Sequence, residues 1–205
     1  MKHNGFTMVE MMVVSLLVIG IVGGLYFIFS TGQASWFATD ADIRLRNSLR
    51  KSLQRISMEL RQSRSDQKFV FDNTGVGGSD IVRFSVPIIC KADGSLIDSN
   101  GDIPNWGAPL NWGCTTLACM DQDQDCSVIE YKYVEYLLNN DQELRREILD
   151  AGVNLVKSDL VASGITDFQV TDNGTMVHLS ASAQRQGDNN RLLSAQAELD
   201  VFLRN

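Results

Sequence analysis

Residues 5–29 read GFTMVEMMVVSLLVIGIVGGLYFIF, and this stretch decides the architecture. From Met11 to Phe29 it runs 19 residues without a charge. At about 1.5 Å per residue that covers roughly 28 Å, close to the ~30 Å hydrocarbon core of a bilayer. A carboxylate, Glu10, stands at the edge of the run. An acid costs on the order of 2.5–3.5 kcal/mol at a bilayer centre and less near an end, so one placed there calls for a reason. A cleaved secretory signal would use Lys2 as its positive start and Gly32-Gln33-Ala34 as its cleavage site, but the run exceeds the usual 7–15 apolar residues of such signals. A plain membrane anchor needs only the apolar run. Neither accounts for Glu10.

The segment Gly5-Phe6-Thr7-Met8-Val9-Glu10, behind a short leader that carries Lys2, resembles the signature of type IV prepilins. The resemblance implies that a prepilin peptidase cuts after Gly5, that Phe6 becomes the N-methylated amino terminus, and that the apolar helix is retained. Glu10 is then the fifth residue of the mature chain. Its carboxylate would offset the Phe6 amine, in the same chain or in a neighbour, and in low dielectric that attraction is strong enough to set subunit register. Many major pilins kink this helix with a proline, whereas here no proline precedes Pro87. Gly20 and Gly24 form a small-xxx-small pair suited to close helix contact.

Beyond the span, Trp36 and Phe37 read as an interfacial aromatic pair. Leu45, Leu49, Leu53, Ile56 and Leu60 then recur on one face of a 3.6-residue period. The spacing predicts a single helix from about Phe6 to Arg64. Charge is unevenly spread. Residues 44–68 hold eight cations (Arg44, Arg46, Arg50, Lys51, Arg55, Arg61, Arg64 and Lys68) against Glu59 and Asp66, while residues 69–205 hold nine basic and twenty acidic side chains. The basic run is either a solvated face or a surface complementary to acidic neighbours. The whole chain, 205 residues with a formal charge of −7, is not that of a nucleic-acid binder.

From residue 69 the pattern turns to β. Residues 81–86, 127–136, 142–148, 165–171, 175–183 and 192–203 are predicted strands, with turns at Asn139-Asn140-Asp141 and Asp172-Asn173-Gly174. Asp159–Ser163 is predicted as a short helix. The expected fold class is therefore α+β, one long helix packed on an antiparallel sheet, which the prepilin resemblance implies is pilin-like. The domain plan is a leader at 1–5, a membrane and filament-core helix at 6–29, its amphipathic continuation at 30–65, and a β-rich domain at 66–205 with a Cys- and Asp-rich insertion at 88–126.

Further residues resemble minor pilins of the PilW type and the minor pseudopilin J of type II secretion: Glu59-Leu60-Arg61-Gln62, Tyr131 with Tyr136-Leu137, Leu144-Arg145-Arg146, Gly164-Ile165-Thr166-Asp167-Phe168 and Phe202-Leu203-Arg204-Asn205. The resemblance implies a non-enzymatic subunit of the bacterial inner membrane, single-pass, with its amino terminus cytoplasmic and its β-domain periplasmic. It implies entry into a pilus or pseudopilus near the tip. The partners it implies are other pilin or pseudopilin subunits, the prepilin peptidase and methylase, an inner-membrane assembly platform and the lipid bilayer.

The insertion carries all four cysteines, Cys90, Cys114, Cys119 and Cys126. In an oxidising compartment an even count reads as two bridges with three connectivities open, of which Cys90–Cys114 with Cys119–Cys126 is preferred. Asp98-Ser99-Asn100-Gly101-Asp102 and Asp121-Gln122-Asp123-Gln124-Asp125 offer alternating oxygens of the kind that converge on Ca²⁺, although both lack the following Gly and the distal bidentate Glu. No cofactor is required on this reading, and Ca²⁺ is an optional second clamp. For catalysis the chain offers only His3 and His178 and no phosphate-binding loop or nucleophile elbow. The rival function is a membrane-anchored, calcium-binding or adhesive surface domain that never polymerises.

Overall fold

A computed structural model describes residues 7–88, 97, 102–103, 105–110, 131–186 and 192–204. Among the described residues one α-helix, α1 (Met8–Leu60), precedes ten strands. At 1.5 Å per residue its 53 residues extend about 80 Å. Thr7 caps its start, and no proline or internal polar gap interrupts it. It ends without a glycine: Gln62 N and Ser63 N bond back to Glu59 O and Leu60 O, tightening the last turn and satisfying two terminal carbonyls.

The two halves of α1 meet different surroundings. The first half carries the most apolar window, of mean hydropathy 2.5, and none of that window is buried inside the protein. By length and composition this half can cross a membrane. In the second half Leu45, Leu49, Leu53, Ile56 and Leu60 are all buried in the core, as their spacing predicts.

The strands form a five-stranded antiparallel sheet of order β1-β2-β5-β6-β7 and a three-stranded one of order β10-β9-β8. The first comprises β1 (Lys68–Phe71), β2 (Ile81–Phe84), β5 (Tyr133–Leu138), β6 (Glu143–Leu149) and β7 (Leu155–Ser163). The second comprises β8 (Ile165–Asp172), β9 (Met176–Gln186) and β10 (Leu192–Phe202). A small pair, β3 (Val86–Pro87) with β4 (Trp106–Gly107), lies beside them. Inward residues of both sheets, among them Val134, Ile148, Leu179, Ala195 and Val201, share one core cluster with the α1 stripe.

The predicted turns are present. Asn139 Oδ1 accepts from Asp141 N and Glu143 N at 3.0 and 2.8 Å, closing the β5–β6 hairpin. At the β8–β9 turn Asp172 Oδ1 accepts from Gly174 N, and Gly174 sits at φ +80°, which a side chain would disfavour. One expectation fails. Asp159–Ser163 is not a helix but the last part of β7, paired to β6 from Glu143↔Ser163 to Arg146↔Asp159 with a register shift between Leu144 and Arg145. Ladder pairing with the exposed flank of β6 outweighs the modest helix preference of Leu-Val-Ala. β1, which the sequence left unassigned, is tied down by Lys68: its buried ammonium meets Asp172 at 2.7 Å and Gly174 O at 2.9 Å, joining the two sheets.

The core is built on the α1 stripe, so Leu53→Ala should destabilise the protein by about 2–5 kcal/mol. Denaturant unfolding of the full chain in detergent would register this as a lower midpoint. An unchanged midpoint would mean that α1 is not packed as described.

Candidate functional site

Two places on α1 carry chemistry of interest, one at its start and one near its end. At the start Thr7 Oγ1 accepts from Glu10 N at 3.3 Å, while Thr7 N and Thr7 Oγ1 both donate to Glu10 Oε2, at 2.9 and 3.0 Å. This is a capping box, in which a threonine and the carboxylate three residues on satisfy each other's orphan donors. The T-x-x-E spacing carries this partner, Thr7, beside the expected one, the Phe6 amine of the same chain or a neighbour. Among the described residues Glu10 Oε1 makes no hydrogen bond. Gly5 and Phe6 lie outside the described residues.

Along the apolar half the serine and threonine hydroxyls of residues 15, 30 and 31 bond back within the helix. Ser15 donates to Met11 O at 2.7 Å, and Ser30 donates to Phe27 O at 3.0 Å. Thr31 donates to the same Phe27 carbonyl at 2.5 Å. Polar groups satisfied inside their own helix are what a hydrocarbon surrounding demands. Among the described residues nothing lies within 4 Å of where a Cβ on Gly20 or Gly24 would sit, so the small-residue strip is open to approach.

Near the other end α1 is pinned to the sheet by a buried charge. Glu59 lies beside the apolar stripe, and its carboxylate is almost wholly buried. Arg146 Nε donates to Glu59 Oε1 and Oε2 at 3.1 and 3.0 Å, and Arg146 Nη2 donates to Oε1 at 2.8 Å. Tyr136 Oη donates to Oε2 at 2.8 Å. Tyr136 and Arg146 stand directly opposite each other in the β5–β6 ladder, so one hairpin presents both donors to one helix carboxylate. Arg146 Nη2 also donates to Pro109 O at 2.7 Å, and the Asp159 carboxylate of β7 lies 3.7 Å from Nη1. The Phe84 ring stacks on Tyr136 at 6.1 Å between centroids.

The electrostatics follow from burial and pairing. Burial, then the Glu59 charge, pushes the Tyr136 phenol well above its ordinary pKa. Burial works against the Arg146 charge, but the Glu59 hydrogen bonds and charge, with Tyr136 and Asp159, outweigh it and hold the guanidinium above its usual value. Glu59 and Arg146 form a buried, multiply hydrogen-bonded ionic joint. Its partners are 87 residues apart, so spacing could not reveal them. The legible signal was an acid, Glu59, on the face of Ile56 and Leu60.

The other predicted positions fare as follows. Cys90, Cys114, Cys119, Cys126, Asp98, Asn100, Asp121, Asp123 and Asp125 lie outside the described residues, and Asp102 is exposed. Among the described residues no group of three or more His, Cys, Asp or Glu side chains is placed to hold a metal ion. His178 pairs across strands with Asp200, Nδ1 to Oδ1 2.7 Å. An open groove of about 440 Å³ lies between β1 and β8, lined in part by Asp72, Asp80 and Asp172. Two of those carboxylates are engaged, Asp80 by Asn73 N and Val170 N at 2.7 Å each and Asp172 by Lys68. No family model, curated protein or solved structure matches the chain.

Removing one member of a buried pair leaves the other uncompensated. Glu59→Ala or Arg146→Ala should each cost about 3–5 kcal/mol. Glu59→Leu with Arg146→Met should recover most of that, but not all, because Tyr136 Oη and Pro109 O lose partners. A double-mutant cycle by denaturant unfolding measures the coupling. Additive losses would show that the joint is not a unit.

Proposed function

We propose that this chain is a minor pilin or minor pseudopilin, a non-enzymatic subunit that a prepilin peptidase processes and that enters a filament through its amino-terminal helix. The observation that carries the reading is the asymmetry of α1. Its upper half is fixed to a β-domain, whereas its lower half is apolar and exposed, with the hydroxyls of Ser15, Ser30 and Thr31 bonded back within the helix. A half-helix of that kind needs another solvent or other helices. Lipid serves it before assembly, and neighbouring copies of the same helix type serve it afterwards, with the open Gly20/Gly24 strip admitting close approach.

The amino-terminal chemistry fits this life. Cleavage after Gly5 would leave Phe6 next to the cap residue Thr7, one position outside the capping box. Glu10 Oε2 then holds the backbone of Thr7, and Oε1 is left to face a terminal amine, its own or a neighbour's. In a low-dielectric surrounding that pairing rewards a single axial register between adjacent helices. Insertion with a cytoplasmic amino terminus and a periplasmic β-domain follows from where such a peptidase acts. Type IV pilus and type II pseudopilus are equally served by these features.

Mass spectrometry of the amino terminus of protein taken from membranes tests the reading. A mature chain beginning at Phe6, carrying one methyl group, is expected, and a start at Ser35 or an intact Met1 would overturn it. Glu10→Ala should leave the protein in the membrane at normal level yet lower its recovery in sheared filament fractions roughly tenfold or more, the scale of losing a paired charge. Thr7→Val, which removes only the cap, should act mildly by comparison.

A further inference from the structure

The two larger sheets end at β1, β7, β8 and β10, and three of these edges are blunted. β1 is only four residues long. β7 breaks register twice against β6, which bends a strand away from any flat neighbour. β8 is occupied by the segment before β2. Asp80 N donates to Phe168 O at 2.8 Å, Phe168 N donates to Ser79 Oγ at 3.2 Å, and Val170 N donates to Asp80 Oδ2 at 2.7 Å. Shortness, bulges and covering segments are the usual means of keeping an edge from pairing.

β10 has none of them. Its 11 residues pair with β9 in unbroken register, from Leu192↔Gln186 to Phe202↔Met176, and include no proline and no lysine. Leu203 N donates to Thr175 O at 2.8 Å. By the antiparallel alternation, the odd-numbered residues of β10 then bond to β9 and the even-numbered ones turn N–H and C=O the other way. Leu192, Ser194, Gln196, Glu198, Asp200 and Phe202 hold out their backbone groups in one row, and among the described residues no strand pairs with it. The next even residue, Arg204, shows such a group in use, donating its N–H to Ser63 O at 3.1 Å.

The side chains describe what fits there. On the inner face Leu193, Ala195 and Val201 are buried, whereas Ala197 and Leu199 between them are only half-buried. The core lacks cover beside the middle of β10. On the outer face Glu198 accepts from the neutral amide of Gln196, Nε2 to Oε1 3.0 Å, and among the described residues no cation pairs with it. Asp200 is already taken by His178.

We infer that the free edge of β10 between Ser194 and Asp200 takes up an extended strand of another protein. The residues of that strand alternate between apolar, beside Ala197 and Leu199, and basic, opposite Glu198. In strand addition the main-chain bonds give affinity and the alternate side chains choose the partner. A second copy offering its own β10 is the poorer occupant. Antiparallel β10–β10 pairing about a two-fold axis normal to the sheet points the two α1 helices in opposite directions. Two chains inserted in one bilayer in the same sense cannot adopt that arrangement. The edge belongs to the β-domain, so the inference does not rest on the filament reading.

The test titrates the full chain, in uncharged detergent, with soluble peptides of roughly eight residues, a common strand length. One alternates Val and Lys, a second is the same peptide N-methylated at every second residue on its pairing side, and a third alternates Val and Glu. Fluorescence anisotropy reads binding, and residue-resolved amide exchange reads its place. In the free protein the amides of Gln196, Glu198 and Asp200 should exchange fast and those of Ala197 and Leu199 slowly. The Val/Lys peptide should bind and slow the even-numbered amides roughly tenfold or more. The N-methylated peptide, which has lost its donors, should not bind, and the Val/Glu peptide should bind more weakly because like charges face each other across the pair. Gln196→Pro removes an N–H that the β9 ladder does not use, so the fold should persist while Val/Lys binding falls roughly tenfold or more. Glu198→Lys, an exposed change, should reverse the preference between the Lys and Glu peptides and keeps the test decisive if the proline variant does not fold. Slow exchange of the even-numbered amides in the free protein would overturn the inference. So would equal binding of the N-methylated peptide, a preference unmoved by Glu198→Lys, or no binding of the Val/Lys peptide at about 1 mM, the weak end of specific recognition.

Discussion

A single buried carboxylate, Glu59, holds the molecule together. It receives Arg146 and Tyr136 from facing positions on one hairpin, and through Arg146 it reaches the segment that carries Pro109. Burying an ion pair is a poor way to gain stability, since desolvation consumes much of the attraction. What it provides is uniqueness. A slip of β6 by one residue would turn Arg146 to the other face of the sheet and leave Glu59 in an apolar core. A slide of α1 by one residue would carry Glu59 off both donors. Apolar packing of leucines against valines tolerates such shifts far better than this joint does.

Because the joint lies near the carboxy-terminal end of α1, the helix is governed at that end and left open at the other. Its upper half behaves as core, its stripe closed over by both sheets. Its lower half satisfies its own backbone and the hydroxyls of Ser15, Ser30 and Thr31. One continuous helix thus passes from an environment specified by this chain to one specified by something else, with Trp36 and Phe37, both exposed, near the change.

Much of this was legible in the sequence, where local pattern determines structure. The 3.6-residue stripe from Leu45 to Leu60 located the packed face of α1, and the Asn/Asp turns at 139 and 172 located two hairpins. Glu10 drew notice because an acid beside an apolar run is costly. What escaped was pairing over long distances. Neither the charge run nor the segment Glu59-Leu60-Arg61-Gln62 showed that Glu59 and Lys68 are each buried against a partner about a hundred residues away, Arg146 in one case and Asp172 in the other. Residues 159–163 read as helix because Asp-Leu-Val-Ala-Ser has no strand alternation of its own. Their conformation is imposed by β6. Within the basic run Arg44, Arg46, Arg64 and Lys68 each pair with an aspartate, which counting charges along the sequence could not show.

The unbroken course of α1 makes it a lever. From Leu45, where its grip on the core begins, to Met8 is about 55 Å of helix with no proline to bend it. A tilt of roughly 5° about that grip would displace the far end by about 5 Å, close to the 5.4 Å pitch of one turn. Glu10 sits at that far end. How firmly Arg146 and Tyr136 clamp Glu59 therefore bears on how accurately Glu10 is aimed, across a span that no other described residue packs against.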